Sequence, residues 1–259
     1  MNSESKQLNL NFQQIKRYIT AINKLKDSSK DNNRNNKNLE LVIQTISNDF
    51  LQYRAQYPNQ QSKVCIEMIK KIMRANKGYI KAYMLEPLKI SRNYLSIMEK
   101  NKEIERIASG IYILSEVIED EFYTFQLKYK KTIFSHMHAL YFHELTQEIP
   151  YLYTVTIPRN YHIDEINKNH NKYYASDEIY NLGLTEIQTP MGNTIKTYDI
   201  EKSICDIIKH KKNLDIDHVK YSVKEYLKRK DKDLVKLSQY ADKMGIKETV
   251  LNFVENMYE

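Results

Sequence analysis

Residues 62–115 run SKVCIEMIKKIMRANKGYIKAYMLEPLKISRNYLSIMEKNKEIERIASGIYILS, and the apolar spacing changes several times within them. Val64, Ile66, Met68, Ile69, Ile72 and Met73 recur at helical steps, which predicts a helix over 62–75 with Ser62 as its N-cap. Residues 78–80 read as a short extended piece. Ala82–Leu85 then predicts a brief helix that Glu86-Pro87 ends, because the residue before a proline is driven out of the α region. Ser91 is placed to cap a further helix reaching to about Lys100. Residues 104–107 and 111–114 alternate as two strands around Ala108-Ser109-Gly110. Helix, strand, short helix, helix and two-stranded ribbon in about fifty residues is the order of a winged helix-turn-helix.

In that motif the last helix lies in the major groove and its early side chains meet base edges. Leu95 and Met98, three apart, are expected to face the core, leaving Arg92, Asn93, Ser96, Glu99 and Lys100 outside, while Tyr94 is expected to pack inward. Arg92 suits guanine, Asn93 suits adenine, and Ser96 suits either. Lys89, Lys100, Lys102 and Arg106 suit phosphates, which add affinity without sequence information. Ser91 and the ribbon residue Ser109 complete the candidate DNA contacts.

Charge supports this placement. The chain of 259 residues carries a net +7, unevenly spread. Residues 1–61 hold nine basic and five acidic side chains, residues 62–115 hold eleven and five, and residues 116–259 hold 20 and 23. A basic front attached to a near-neutral remainder suggests a nucleic-acid-binding part and a separate protein-contacting part.

Working outward, residues 8–26 and 39–56 predict two helices, with apolar positions at steps of three and four. The run 27–38, DSSKDNNRNNKN, reads as a loop between them, and Tyr57-Pro58-Asn59 stops the second. The fold class expected is therefore helix-rich α+β: a helical hairpin over 1–61, the winged helix over 62–115, and a mixed α/β domain over 116–259. Within the last domain, helices are expected over 120–129, over 136–141 after a Ser135 cap, and over 200–210, 215–229, 231–243 and 246–258. Strands are expected at 133–134, 152–157 and 172–175, with a hairpin at 184–189 and 194–199 about Pro190-Met191-Gly192-Asn193.

Several functions find little support. Cys65 and Cys205 are far apart and lack ligand spacing, as expected of reduced thiols. The polar N-terminus shows no signal core, and no apolar run approaches a membrane span, so a soluble cytoplasmic protein is expected. His136, His138 and His143 do not share a helix face: two residues apart is about 200° on a helix. They lack the HExxH arrangement as well. Asp199 reads as an N-cap, Glu201 as favourable at a helix start, and Lys202 with Asp206 as an i,i+4 ion pair. No catalytic residue, metal or cofactor is expected.

A longer set of segments points to a family. These are Gly78-Tyr79-Ile80, Ile90-Ser91-Arg92-Asn93-Tyr94-Leu95, Glu105-Arg106-Ile107-Ala108-Ser109-Gly110-Ile111-Tyr112, Ile133-Phe134-Ser135-His136, His143-Glu144-Leu145-Thr146, Val155-Thr156-Ile157-Pro158-Arg159, and Glu201-Lys202-Ser203-Ile204-Cys205-Asp206. With Gly192-Asn193, Tyr198-Asp199, Tyr226-Leu227, Asp233-Leu234 and Tyr240-Ala241, their order over about 66–256 resembles the AbiEi-type antitoxins of bacterial abortive-infection loci, including the related AbiGi proteins. The first 60 residues lie outside the resemblance. Lys202, Ser109 and His138 stand where that family often carries Arg, Arg and Thr.

The resemblance implies an autorepressor that binds inverted repeats in its own promoter, two copies on double-stranded DNA, and a C-terminal domain that counters a nucleotidyltransferase-like toxin. The cations in the C-terminal region, Lys202, His210, Lys211, Lys212, Lys228, Arg229 and Lys230, are the candidate toxin-countering surface, with solvated helix ends as the plainer reading of the two basic runs. The alternative function is a protein-interaction module that neutralises the toxin by direct contact without reading DNA.

Overall fold

The structure, a computed structural model, describes residues 10–27, 33–161 and 170–257. It is a helix-rich α+β protein with two small sheets. The chain divides into two compact units, Met1–Glu119 and Asp120–Glu259.

In the first unit, helices α1 (Phe12–Asp27), α2 (Asn33–Ala55) and α3 (Gln61–Ala75) share one apolar core with the segments that follow. Ile15, Tyr18, Ile19 and Ile22 of α1, Ile46 and Phe50 of α2, and Met68, Ile69, Ile72 and Met73 of α3 are buried together. The hairpin is thus part of the body on which the later helix is mounted. Strand β1 (Tyr79–Lys81) leads to a 3-10 turn, Ala82–Leu85, then α4 (Asn93–Lys100), β2 (Ile104–Ala108) and β3 (Ile111–Leu114). The sheet is antiparallel in the order β1-β3-β2. A register shift between Arg106 and Ala108 puts a bulge in β2, and Gly110 supplies the positive φ of +68° that the ribbon turn needs. Buried Leu85, Leu88, Leu95 and Met98 anchor the turn and α4 to the core.

Two sequence expectations need correction here. Helix α2 begins at Asn33, so the latter part of the polar run expected as a loop is helical; residues 28–32 lie outside the described residues. The run has no apolar periodicity, and Asn is a weak helix former, so no local signal marks this first turn. Ser62 lies inside α3, whose N-cap is Gln60 without a side-chain cap bond. The 3-10 run Pro58–Gln60 has already turned the chain into helical geometry before Ser62 is reached.

In the second unit, α5 (Glu121–Lys128) starts at Asp120, whose carboxylate accepts the Tyr123 N–H. Strands β4 (Ile133–Phe134), β5 (Thr154–Pro158), β6 (Asn171–Ala175), β7 (Leu184–Gln188) and β8 (Thr194–Tyr198) make one mixed sheet ordered β6-β5-β4-β8-β7. Helix α6 (Met137–Phe142) follows β4, and a short α7 (Asp177–Asn181), absent from the sequence expectation, precedes β7. Helix α6 is entered at His136 with φ +52°, and Ser135 makes no side-chain cap, contrary to expectation. Ser135 instead bonds the His136 ring while its carbonyl receives the His138 N–H. Helix α8 (Ile200–Lys209) is buried from Glu201 to Ile208, packed with α6, α9 (Ile216–Lys228), α10 (Leu234–Lys243) and α11 (Lys247–Glu255). Among the described residues no helix is long and apolar enough to cross a membrane.

Candidate nucleic-acid interface

Helix α4 divides as an amphipathic helix must: Leu95 and Met98 are buried, while Arg92, Asn93, Ser96 and Lys100 are exposed. Tyr94 is half-buried against the core with its hydroxyl 3.5 Å from that of Ser62, so it packs rather than projects. Glu99, expected outside, is half-buried. The Ser91 hydroxyl accepts the Asn93 N–H at 3.3 Å, and the Ser91 carbonyl takes that of Tyr94. The N-cap of α4 is nevertheless Arg92, without a side-chain cap bond, so the expected Ser91 cap is corrected: Ser91 closes the turn one residue earlier and remains exposed.

Lys89, Lys102, Arg106 and Ser109 are exposed too, so all nine candidate DNA contacts reach solvent. Lys89 and Lys102 bracket α4 in left-handed conformations, φ +49° and +59°. Arg106 lies on β2 opposite Tyr112, its guanidinium 3.4 Å from the Ala108 carbonyl across the bulge. The Arg92 side chain, 63% exposed, is paired with Glu86 at 2.5 Å. At such exposure the pair contributes about 0–1 kcal/mol and yields readily to a phosphate or a base.

Two supporting contacts escaped sequence reasoning. Arg54 of α2 donates to the Lys89 carbonyl at 3.0 Å, tying the helical hairpin to the turn before α4. Lys70 of α3 pairs with Glu103 at 2.5 Å just after α4, and this bond holds the Glu103 carboxyl below its ordinary range. Partners 35 and 33 residues apart leave no local signature.

The C-terminal cations do not all reach solvent. Lys202 is 1% exposed, so its assignment to a toxin-countering surface is corrected. Its ammonium lies 2.6 and 2.7 Å from the two oxygens of Asp206, the ion pair its spacing predicts, but buried. Burial pushes the Asp206 carboxyl up, against the pull of Lys202. His210 is half-buried, its Nδ1 2.9 Å from Nε2 of buried His136, which stacks on Tyr173. Burial lowers both imidazoles, most strongly that of His136. Lys211 lies over the Phe253 ring and Arg229 pairs with Asp231 at 2.8 Å, both half-buried. Lys212, Lys228 and Lys230 are exposed, Lys228 beside Glu225.

The acidic and histidine side chains of this region have structural partners. Asp199 accepts the Lys202 N–H at 2.9 Å as the N-cap of α8. Glu201 is buried and takes the Tyr226 hydroxyl at 3.2 Å and the Lys236 ammonium at 3.1 Å. His138 Nδ1 accepts the Thr154 N–H, and His143 Nε2 lies 2.7 Å from the Tyr198 carbonyl. No protein-family model matches this chain, and no curated protein matches it significantly.

Proposed function

We propose that residues 62–115 form a winged helix-turn-helix and that the protein is a DNA-binding antitoxin of an abortive-infection locus that represses its own operon. The observation that carries the reading is α4. It stands on a buried Leu95 and Met98 edge and presents Arg92, Asn93, Ser96 and Lys100 to solvent, beside a two-stranded ribbon that carries Arg106. The basic excess of the first 115 residues favours the same reading. Arg92 and Asn93 read bases; Lys89, Lys100, Lys102 and Arg106 neutralise phosphates, two copies occupying an inverted repeat. The second unit counters a nucleotidyltransferase-like toxin, and of the cations proposed for that task Lys212, Lys228 and Lys230 are the exposed ones.

Fluorescence-anisotropy titration of a duplex from the chain's own promoter, against a scrambled duplex at the same salt, tests the reading. The promoter duplex binds more tightly, and Arg92→Ala weakens it about 10- to 100-fold, as loss of a bidentate base contact does. Equal affinity for both duplexes, or salt-insensitive binding with stable co-elution of the toxin in gel filtration, favours the protein-interaction module instead.

A further inference from the structure

Three side-chain hydrogen bonds tie the N-terminal hairpin to one short segment, 83–89, which leads into α4. The Tyr18 hydroxyl of α1, fully buried, donates to the Met84 carbonyl. The Tyr83 hydroxyl donates to Asn23 Oδ1 of α1 at 2.7 Å. From α2, Arg54 Nη1 donates to the Lys89 carbonyl at 3.0 Å. The Arg54 guanidinium is itself held in place. Its Nε donates to Gln61 Oε1, and the Gln61 amide donates to the Arg54 and Tyr57 carbonyls at 2.9 and 3.0 Å.

Lys89 is where the chain turns toward α4. Its φ of +49° is a left-handed conformation that a lysine adopts at a cost and keeps only where its surroundings hold it. Two backbone bonds hold one side of the turn: the Lys89 N–H meets the Glu86 carbonyl at 3.0 Å, and the Ile90 N–H meets that of Leu85 at 3.2 Å. Among the described residues no backbone N–H meets the Lys89 carbonyl, which takes the Arg54 guanidinium in a charge-assisted bond. Arg92 and Asn93 follow three and four residues later. The buried Leu95 and Met98 lie further on, so they fix the middle of α4 and not its entry.

We propose that Arg54 is a positioning residue for DNA recognition: by fixing the Lys89 carbonyl from α2, it sets the direction in which α4 presents Arg92 and Asn93. The hairpin is then the mounting of the reading helix, and a binding group needs to be held to within about 0.5 Å. This inference rests on the DNA-reading role proposed for α4.

The test uses the full chain. Arg54→Met keeps the aliphatic stem and removes the donors; Gln61→Met frees the guanidinium without changing the charge. In the DNA-free protein, hydrogen exchange at the Lys89 and Ile90 amides speeds up about tenfold in Arg54→Met, while Ile69 and Ile72 of α3 exchange as before. The preference for the promoter duplex over the scrambled one falls about tenfold in both variants, with the slope of log K against log salt unchanged. Arg54→Lys, which keeps the charge and a donor, retains part of the preference. Unchanged exchange at Lys89 and Ile90 overturns the proposal, as does an unchanged promoter preference. A slope shallower by about one with the preference kept makes Arg54 a phosphate contact and overturns it as well. Faster exchange throughout, α3 included, reduces Arg54 to a stability residue and has the same consequence. An unmodified chain that does not prefer its promoter counts against the DNA reader, while the exchange rates still decide whether Arg54 fixes the turn.

Discussion

Two ion pairs in this protein show how burial changes the meaning of the same chemistry. Arg92–Glu86 is open to solvent and weak, so it is broken at little energetic cost. Lys202–Asp206 is buried, and removing one partner strands a charge. Lys202→Met is expected to destabilise the second unit by about 3–5 kcal/mol, whereas Lys202→Met with Asp206→Leu recovers most of that loss, as read from urea denaturation midpoints. The i,i+4 spacing of this pair is legible in the sequence; its burial is not, because α8 packs helices on several sides and the pattern of a one-faced helix no longer applies. Histidine adds a pH dependence. Burial lowers His138 from 6.5 to about 4. With the folded value below the unfolded one, the unfolded chain binds more protons, so stability is full above about 6.5 and falls as pH drops toward 4. His136 and His210 act in the same direction. Thermal melts between pH 7 and 4.5 are expected to show a falling Tm, with a shallower fall in His138→Gln; a Tm independent of pH across that window contradicts the assignment.

At the scale of elements, the turn that precedes β1 is under tight steric control. Gly78 has φ +91°, and a Cβ there would lie 2.8 Å from Val117 Cγ2. Gly78→Ala is expected to cost about 1–3 kcal/mol, measured as a lowered denaturation midpoint. The elements around it were largely legible: the apolar spacing of 62–75, the Glu86-Pro87 stop and the alternation of 104–114 correspond to α3, the 3-10 turn and the β2–β3 ribbon. Where local signals were thin, reading stopped short. The Asn-rich start of α2 has no apolar stripe, and α7 is too short to show a period. His136 in a left-handed conformation between β4 and α6 is set by tertiary packing against Tyr173 and His210, which no neighbouring residue announces. The candidate interface is legible because it lies on one short helix and one ribbon; Arg54, which braces it from α2, is not, because that contact spans 35 residues.

At the scale of the whole chain, the positive charge is concentrated in the first 115 residues and the remainder is slightly acidic. Four candidate phosphate contacts per copy imply that log K for DNA falls with log salt at a slope of about −3 to −4 for each copy bound, and that Lys102→Ala reduces its steepness by about one. The same salt series on the isolated promoter half-site separates phosphate contacts from base contacts, since Arg92→Ala is expected to alter specificity more than slope. Hydrogen–deuterium exchange of the full chain, free and bound to its promoter duplex, tests the central claim most directly. Protection concentrated at 91–100 and in the ribbon at 104–111 is the expected result; protection confined to the second unit, with α4 exchanging at the same rate in both states, would contradict it.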